Sequence, residues 1–274
     1  MKTLVHLSDL HFGRIDLALV DPLRRAVVDL KPDLVAISGD LTQRARRSQF
    51  AAAGEFVESL EPLKTLLVPG NHDIPLFDFA ERFTSPLSRY REYISTNLEP
   101  VHEDDEMIVI GINTARSMTW GEGRINEQQV DRVVDQLSGA PPSLLRIIVT
   151  HHPFDVPPGV EQKRLLGRSV MAMAKLAKAN ADLFLSGHLH ISHVSHAAER
   201  YQLNGHSALI VQAGTVSTRS RGEQPSFNVL RLQRPEITLE RYAWDESATE
   251  FSAVAANVYK HNQKGWTRGH QAAS

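Results

Sequence analysis

The sequence predicts an α/β fold of two packed β-sheets with helices on their outer faces, and two patterns support this. Over the first two-thirds of the chain, short apolar runs rich in β-branched residues alternate with segments of helical periodicity. Over the last third, short apolar runs are separated by turn residues without a long helix, which indicates antiparallel strands. Alternating strands and helices followed by a β-rich end fit two sheets with outer helices.

The individual elements follow from the same local periodicity. The predicted strands cover residues 3–7, 33–37, 65–68, 107–112, 145–150, 182–186, 209–211, 227–232 and 237–242. The predicted helices cover residues 17–30, 48–60, 85–96, 126–137 and 168–180. The fourth of these helices has a clear start signal, because Asn126 and Gln129 have the spacing of a capping box.

The chain is expected to form a single domain over residues 1–245. Residues 246–274 are polar, with weak periodicity at Phe251, Val254 and Val258. We therefore expect a C-terminal tail that is partly helical or loose. His193 and His196 follow the last histidine-rich motif of the chain, and we expect loop or surface positions for both.

Composition excludes several classes of function. The chain has 274 residues, 42% of them hydrophobic and 23% charged, and its net charge is −2. This charge gives no general attraction for nucleic acid polymers or anionic membranes. The absence of cysteine excludes thiolate metal sites, disulfides and thiol catalysis. The sequence shows no signal peptide and no membrane span, so we expect a cytoplasmic protein.

Metal-type side chains lie in five short motifs, each just past the end of a predicted strand. The side chains with oxygen or nitrogen donors are Asp9, His11, Asp40, Asn71, His151, His188 and His190. Such donors suit hard and borderline divalent metals. Ligands in open α/β sheets bind beyond the carboxyl ends of the strands. If the strands run parallel, five loops therefore converge and bring these side chains together.

The five motifs together resemble the signature of the calcineurin-like metallophosphoesterases. They read Asp-Leu-His at 9–11, Gly-Asp at 39–40, Gly-Asn-His-Asp at 70–73, His-His-Pro at 151–153 and Gly-His-Leu-His at 187–190. The resemblance covers residues 4 to about 215 and implies a two-metal hydrolase on a four-layer α-β-β-α sandwich. It also implies a ligand partition: one metal bound by Asp9, His11, Asp40 and His190, and the other by Asp40, Asn71, His151 and His188.

The chemistry of phosphoester hydrolysis agrees with these residue types. Two cations neutralise the phosphate oxygens and lower the pKa of a bridging water, and a carboxylate such as Asp40 can bridge both cations. His72 is expected to face the substrate, where it would donate a proton to the leaving alkoxide or stabilise the transition state. Asp73 is expected to hold the tautomer of His72, and His152 to lie behind the ligands or face the substrate.

The arginines near the motifs have two interpretations. Arg44 follows Asp40 closely and either starts a solvated helix or forms a positive rim that meets a phosphate. Arg219 and Arg221 follow another strand and could form the same rim.

Differences between these motifs and those of individual metallophosphoesterase groups indicate which groups the chain resembles least. Residue 43 is Gln where purple acid phosphatases have a tyrosine, and the segment after Asp40 lacks the Asp-Arg-Gly of the Ser/Thr protein phosphatases. The residues of the five motifs are most similar to those of the bacterial class III cyclic-nucleotide and glycerophosphodiester phosphodiesterases. That resemblance implies two metal ions, iron or manganese and possibly zinc.

The leading hypothesis is a binuclear phosphodiesterase that hydrolyses cyclic nucleotides or glycerophosphodiesters by attack of a metal-bridging hydroxide. One alternative is a phosphomonoesterase or a lipid-sugar nucleotide pyrophosphatase on the same site. An alternative of another class is a non-catalytic metal-binding scaffold. The expected partner is a small phosphoester rather than a nucleic acid polymer, and a homodimer is possible.

Overall fold

A computed structural model of the protein describes residues 1–119, 121–201, 203, 207–262 and 265–269. Its strands are β1 (Lys2–Leu7), β2 (Leu34–Ile37), β3 (Thr65–Leu67), β4 (Val101–Glu103), β5 (Met107–Ile112), β6 (Leu145–Thr150), β7 (Leu183–Ser186), β8 (His193–His196), β9 (Leu209–Gln212), β10 (Ser226–Gln233), β11 (Glu236–Asp245), β12 (Glu250–Asn262) and β13 (Gly265–Arg268). Its helices are α1 (Leu17–Asp29), α2 (Arg47–Glu58), α3 (Phe79–Thr84), α4 (Ser88–Tyr93), α5 (Glu127–Gly139), α6 (Ser169–Lys178) and α7 (Ala197–Arg200). All the strands predicted from the sequence are therefore present.

The strands form two mixed sheets. The first has seven strands in the order β13-β12-β11-β10-β1-β2-β3, and the second has six in the order β4-β5-β6-β7-β9-β8. Strands β1, β2 and β3 are parallel, and so are β5, β6, β7 and β9. The antiparallel strands lie on the other side of β1 and at both edges of the second sheet.

Successive strand residues face different layers of the molecule. Leu4 of β1 and Ile147 of β6 belong to an apolar core between the two sheets. Val5, the next residue of β1, packs with the buried faces of α1 and α2, and Ile148 of β6 packs with α5 and α6. This alternation follows from the two-residue period of a strand. The result is the expected four-layer α-β-β-α sandwich.

The start of α5 forms as its sequence predicts. The Asn126 side chain accepts a hydrogen bond from the Gln129 amide at 2.8 Å, and the Gln129 side chain accepts one from the Asn126 amide at 3.1 Å. This reciprocal pair satisfies two amides that the helix itself leaves without partners.

The expected loose or partly helical tail over residues 246–274 is wrong for the described part of that segment. Strand β12 pairs antiparallel with β11, and β13 pairs with β12, so the segment extends the seven-stranded sheet. Phe251, Tyr259 and Trp266 are buried, and the Trp266 indole donates a 2.9 Å hydrogen bond to the buried Asp182 carboxylate. Residues 270–274 lie outside the described part of the chain.

A β-bulge explains why the pattern of β12 is hard to recognise. Ala255 pairs with Arg241 and Ala253 pairs with Tyr242, which leaves Val254 without a partner in the register. The extra residue reverses the inward and outward alternation along the strand. Val254 is exposed as a result, although its spacing from Phe251 and Val258 had indicated a helical face.

Two further predictions differ from the structure. The helix predicted over residues 85–96 is shortened to the six residues of α4, and α3 lies in a segment for which the sequence predicted no element. His193 and His196 lie in the short edge strand β8 rather than in a loop. Among the described helices, none is both long and apolar enough to cross a membrane.

Candidate dimetal site

The predicted ligands converge at one end of the sandwich, where parallel strands of both sheets end. The loops after β1, β2 and β3 supply Asp9, Asp40 and Asn71, and the loops after β6 and β7 supply His151 and His188. The expected convergence of five loops is therefore present, and the site lies across the seam between the sheets.

The first group of side chains matches the first predicted metal position. The ligand atoms of Asp9, His11, Asp40 and His190 all lie within 4.8 Å of one another, and all four residues are buried. His190 Nε2 is 3.0 Å from Asp9 Oδ1 and 3.1 Å from His11 Nε2. His11 Nε2 is 3.6 Å from Asp40 Oδ2.

The second group adjoins the first through Asp40. Asn71 Oδ1 lies 3.1 Å from both His151 Nε2 and His188 Nδ1. Asp40 Oδ2 is 3.3 Å from His151 Nε2, so one carboxylate oxygen faces ligands of both predicted positions. This placement suits a bridging carboxylate.

Hydrogen bonds behind the ligands orient them toward the centre. His151 Nδ1–H donates to the Ser38 carbonyl at 2.8 Å, and His190 Nδ1–H donates to the Arg219 carbonyl at 3.0 Å. Both bonds leave Nε2 pointing into the site, as is usual for histidines that bind metal. Asp9 Oδ2 accepts bonds from Ser8 Oγ at 2.7 Å and from the His188 amide at 2.8 Å.

These atoms fit two divalent cations because buried lone pairs face one another. Asp9 Oδ1 is buried without a hydrogen bond of good geometry among the described atoms, although His190 Nε2 lies 3.0 Å away. Asn71 Oδ1 faces two ring nitrogens, and His11 Nε2 faces His190 Nε2. Oxygen and nitrogen donors crowded in this way match the preferences of iron, manganese and zinc.

Several ligand residues have a backbone conformation that non-glycine residues rarely adopt. Among the candidate ligands, those with φ between 46° and 71° are Asp9, His11, Asp40, His188 and His190. Left-handed backbone at a non-glycine residue costs of order 1 kcal/mol or more, and such strain clusters at functional sites. The loops therefore place these side chains at an energetic cost that the surrounding fold offsets.

Two glycines allow neighbouring loops to touch at the site. A Cβ atom on Gly70 would lie 2.2 Å from Asp40 Oδ1, and one on Gly187 would lie 1.8 Å from Ser8 Oγ. These close approaches are to the candidate ligand Asp40 and to Ser8, which holds the candidate ligand Asp9.

Electrostatics keep the carboxylates ionised. Burial alone raises the pKa of Asp9, but His190 and His11 outweigh burial and hold that pKa well below its usual range. The pKa of Asp40 is lowered in the same way, by His151 and His72 against the effect of burial. Burial lowers the pKa of His151, but Asp40 raises it to about 9. Metal binding at His151 must therefore displace a proton.

His72 lies beside the ligands and faces the open side of the site. Its Nδ1–H donates to the Gln43 carbonyl at 2.8 Å, and its Nε2 accepts from Arg219 Nη1 at 2.9 Å, since arginine has no acceptor. Burial lowers the pKa of His72, although Asp40 opposes the effect. His72 is therefore neutral in this arrangement.

Asp73 does not hold the tautomer of His72, so that prediction is wrong. Its carboxylate accepts hydrogen bonds from the amides of Gly70 at 2.9 Å and Thr42 at 2.9 Å, and from the Thr42 hydroxyl at 3.1 Å. Asp73 thus ties together the loops that carry Asp40 and Asn71. Burial and the charge of Asp40 both raise its pKa.

His152 lies beside His151 and His188, and the ligand atoms of these three histidines are close enough to one another to hold a metal ion. His152 Nδ1 is 2.9 Å from the Thr114 hydroxyl, and its ring centroid is 4.7 Å from that of His188. The ring is fully buried. A carbon at the Gly123 Cβ position would collide with it.

Arginines line the rim of the site on both sides of His72. Arg44 Nη1 lies 3.4 Å from His72 Nδ1 and Arg219 Nη1 lies 3.4 Å from His11 Nε2, so both match the positive rim better than a solvated surface. Sequence reasoning missed Arg82, which is buried and donates to the carbonyls of Pro75 and Thr119. A buried arginine on a short helix has no local signal that distinguishes it from an exposed one.

Comparison with known proteins decides the family. The model of the calcineurin-like phosphoesterases matches residues 2–192 of the chain, which include every predicted metal ligand. The chain belongs to this family. As a calcineurin-like phosphoesterase, it is 28% identical over 167 residues to a probable glycerophosphodiester phosphodiesterase from Arcobacter nitrofigilis. That match spans 58% of this chain and 57% of the relative.

Solved structures show the same fold. A dimetal phosphatase from Danio rerio has a TM-score of 0.64 at 14% identity, and the alignment covers 93% of this chain and 98% of that one. The purple acid phosphatase PPD1 from yellow lupin also has a TM-score of 0.64, at 13% identity, over 94% of this chain and 53% of that one. This calcineurin-like phosphoesterase thus has the sandwich that the motifs predicted.

Proposed function

We propose that this calcineurin-like phosphoesterase is a dimetal phosphodiesterase that hydrolyses small phosphodiesters. The observation that carries the proposal is the placement of Asp40 between two complete ligand groups, with His72 and Arg219 facing the open side. The glycerophosphodiester phosphodiesterase relative supports a diester substrate. Iron or manganese, possibly zinc, would be bound by Asp9, His11, Asp40, Asn71, His151, His188 and His190. The cytoplasmic location and the homodimer stay predictions.

The bound metals would supply positive charge against the phosphoryl oxygens and acidify the water that attacks phosphorus. The residues of the chain provide the rest of the chemistry. Arg219 has no carboxylate partner within 4 Å among the described residues and lies 2.9 Å from His72 Nε2. A phosphoryl oxygen is a better acceptor for this guanidinium than a neutral ring nitrogen.

His72 is the residue we assign to the leaving group. The Gln43 carbonyl fixes the ring through Nδ1, so Nε2 is the nitrogen that faces the substrate. When Arg219 turns to the phosphate, His72 Nε2 becomes free to take up a proton from solvent at the open side of the site. His72 then donates that proton to the departing alkoxide oxygen.

A comparison of two chromogenic substrates tests the proposed function. Metal-loaded protein is expected to hydrolyse bis-p-nitrophenyl phosphate with a higher kcat/KM than p-nitrophenyl phosphate. Asp40→Ala is expected to abolish this activity, whereas Asp21→Ala, which removes an exposed carboxylate of α1, leaves it unchanged. Preference for the monoester would overturn the diesterase assignment, and equal activity of Asp40→Ala would overturn the site.

A further inference from the structure

A second cavity adjoins the site beyond Arg44. The first cavity, about 200 Å³ in volume, is lined by Arg44, Asn71, His72 and Leu76. The second, which we call the distal cavity, has a volume of about 490 Å³, and Arg44 and Leu76 line it too. The lining of the distal cavity also includes Arg46, Phe77, Asp78, Phe79 and Arg89. Two shared lining residues make the distal cavity an outward continuation of the site.

The distal cavity carries a net positive charge. Arg89 forms ion pairs with Asp78 at 2.8 Å and with Glu81, so these three side chains together carry one negative charge. Arg44 and Arg46 have no carboxylate within 4 Å in the part of the chain that the structure describes. The guanidinium groups of Arg44 and Arg46 lie on the outer side of the site, where they favour a ligand with more than one negative group.

An aromatic ring is exposed beside these cations. Phe77 is 71% exposed, although large apolar side chains are normally buried. Exposed aromatic rings next to arginines form the platforms on which nucleic acid bases stack. The combination of flat apolar surface and cationic groups suits a ring that carries a phosphate better than it suits an alkyl chain.

We propose that the distal cavity binds the second arm of a linear phosphodiester, in which a base stacks on Phe77 and an additional phosphate meets Arg46. The inference rests on the proposed diesterase function and names a substrate class for it: short linear oligonucleotides with a terminal phosphate. A cyclic mononucleotide has a single phosphate, and both of its ester bonds return to one sugar. Such a ligand fills the first cavity and leaves the distal cavity unused.

Kinetics with a matched substrate series test the distal cavity. The substrates are a dithymidine dinucleotide with a 5′-phosphate, the same dinucleotide without it, and methyl p-nitrophenyl phosphate as a diester without a second aromatic arm. Arg46→Ala is expected to lower kcat/KM about tenfold for the phosphorylated dinucleotide only, since one charged hydrogen bond is lost. Phe77→Ala is expected to lower it about tenfold for both dinucleotides, since one stacked base is lost. Neither variant changes hydrolysis of the methyl ester.

Two neighbouring side chains provide matched controls. Arg47 pairs with Glu92 at 2.6 Å and does not line the distal cavity, and Phe83 is 51% exposed on α3, also outside it. Arg47→Ala and Phe83→Ala are expected to match the unmodified enzyme on every substrate. Equal effects of Arg46→Ala and Arg47→Ala would overturn the assignment of the anion site.

Other outcomes separate the inference from the proposed function. If Phe77→Ala impaired hydrolysis of octyl p-nitrophenyl phosphate more than that of the dinucleotides, the distal cavity would bind an alkyl arm and the inference would fail. If metal-loaded protein hydrolysed no diester, the proposed function would fail. Equilibrium binding of the phosphorylated dinucleotide would then test whether the distal cavity binds the second arm. About tenfold weaker binding by Arg46→Ala would support this assignment, and unchanged binding would overturn it.

Discussion

His72 is held at both of its ring nitrogens, by the Gln43 carbonyl on one side and by Arg219 on the other. Neither contact is visible in the sequence, because both partners are brought to His72 by loops from distant strands. The motif predicts that His72 faces the substrate. The contacts also imply an order of events: His72 Nε2 can take up a proton only after Arg219 has moved to another acceptor.

Substitution of His72 is expected to matter most for poor leaving groups. An alkoxide needs a proton as it departs, whereas p-nitrophenolate does not. We expect His72→Asn to lower kcat by about 10²–10⁴-fold on glycerophosphodiesters, and far less on bis-p-nitrophenyl phosphate. Steady-state kinetics on both substrates check this prediction. Equal losses on the two would assign His72 to phosphate binding instead of proton donation.

His6 makes folding stability depend on pH. It is fully buried on β1, its Nε2 lies 2.9 Å from Ser38 Oγ, and burial lowers its pKa to about 3. The unfolded chain takes up a proton near pH 6.5, whereas the folded chain does not until near pH 3. The contribution of neutral His6 to the free energy of unfolding is therefore complete above about pH 6.5. It is lost as the pH falls toward 3, by up to about 1.4 kcal/mol per pH unit.

The matched variant is His6→Gln, which keeps a polar side chain and removes the titration. Urea unfolding at pH 7 and pH 5, in the presence of chelator, measures the effect. The free energy of unfolding of the unmodified protein is expected to fall more between these pH values than that of the variant, by roughly 2 kcal/mol. Parallel losses would mean that His6 does not titrate differently on folding.

At the scale of elements, the sequence predicts well the features that depend on neighbouring residues. It predicts poorly the features that depend on how distant strands pair. The start of α5 is encoded by Asn126 and Gln129 alone, so it is recognisable in the sequence. The metal ligands are recognisable too, because each follows a buried strand in a short motif. Strand β12 is not recognisable in the sequence. The bulge at Val254 breaks its alternation of inward and outward side chains, and its register depends on pairing with β11. The contacts of Arg219 also depend on tertiary packing.

The C-terminal strands are expected to contribute to the stability of the core. Trp266 of β13 is fully buried between the sheets and donates a hydrogen bond to Asp182, whose carboxylate also lies 3.4 Å from Arg234. Trp266→Phe removes the donor and leaves ring volume unfilled. We expect a loss of about 1–3 kcal/mol in the free energy of unfolding, measured in urea. Trp244→Phe on β11, which is only partly buried, is the control and is expected to cost less.

At the scale of the molecule, the candidate metal site lies where the two sheets meet. Asp40 and Asn71 extend from the seven-stranded sheet, and His151 and His188 extend from the six-stranded one. A cation bound by both sides is lost when the sheets separate, so metal is expected to stabilise the whole fold. At a free metal concentration a thousand times Kd, the gain is about 4 kcal/mol.

Calorimetry with and without chelator measures this linkage. Addition of manganese to the metal-free protein is expected to raise Tm, and Asp40→Asn is expected to remove most of the increase. Asp21→Asn, on the exposed face of α1, serves as the control and is expected to keep it. An unchanged Tm on addition of manganese would contradict a site shared by both sheets.

The order of the strands has a consequence for how the nascent chain matures. In the first sheet Lys2 pairs with Leu232, so β1 cannot pair with β10 until the ribosome has made the long segment between them. Contacts of such long sequence separation slow folding and leave strand edges open to aggregation in the meantime. The loops that hold Asp9 and Asp40 are made early, but the sheet that supports them closes late. Catalytic competence is thus a late product of synthesis, because it requires that β1 and β10 have paired.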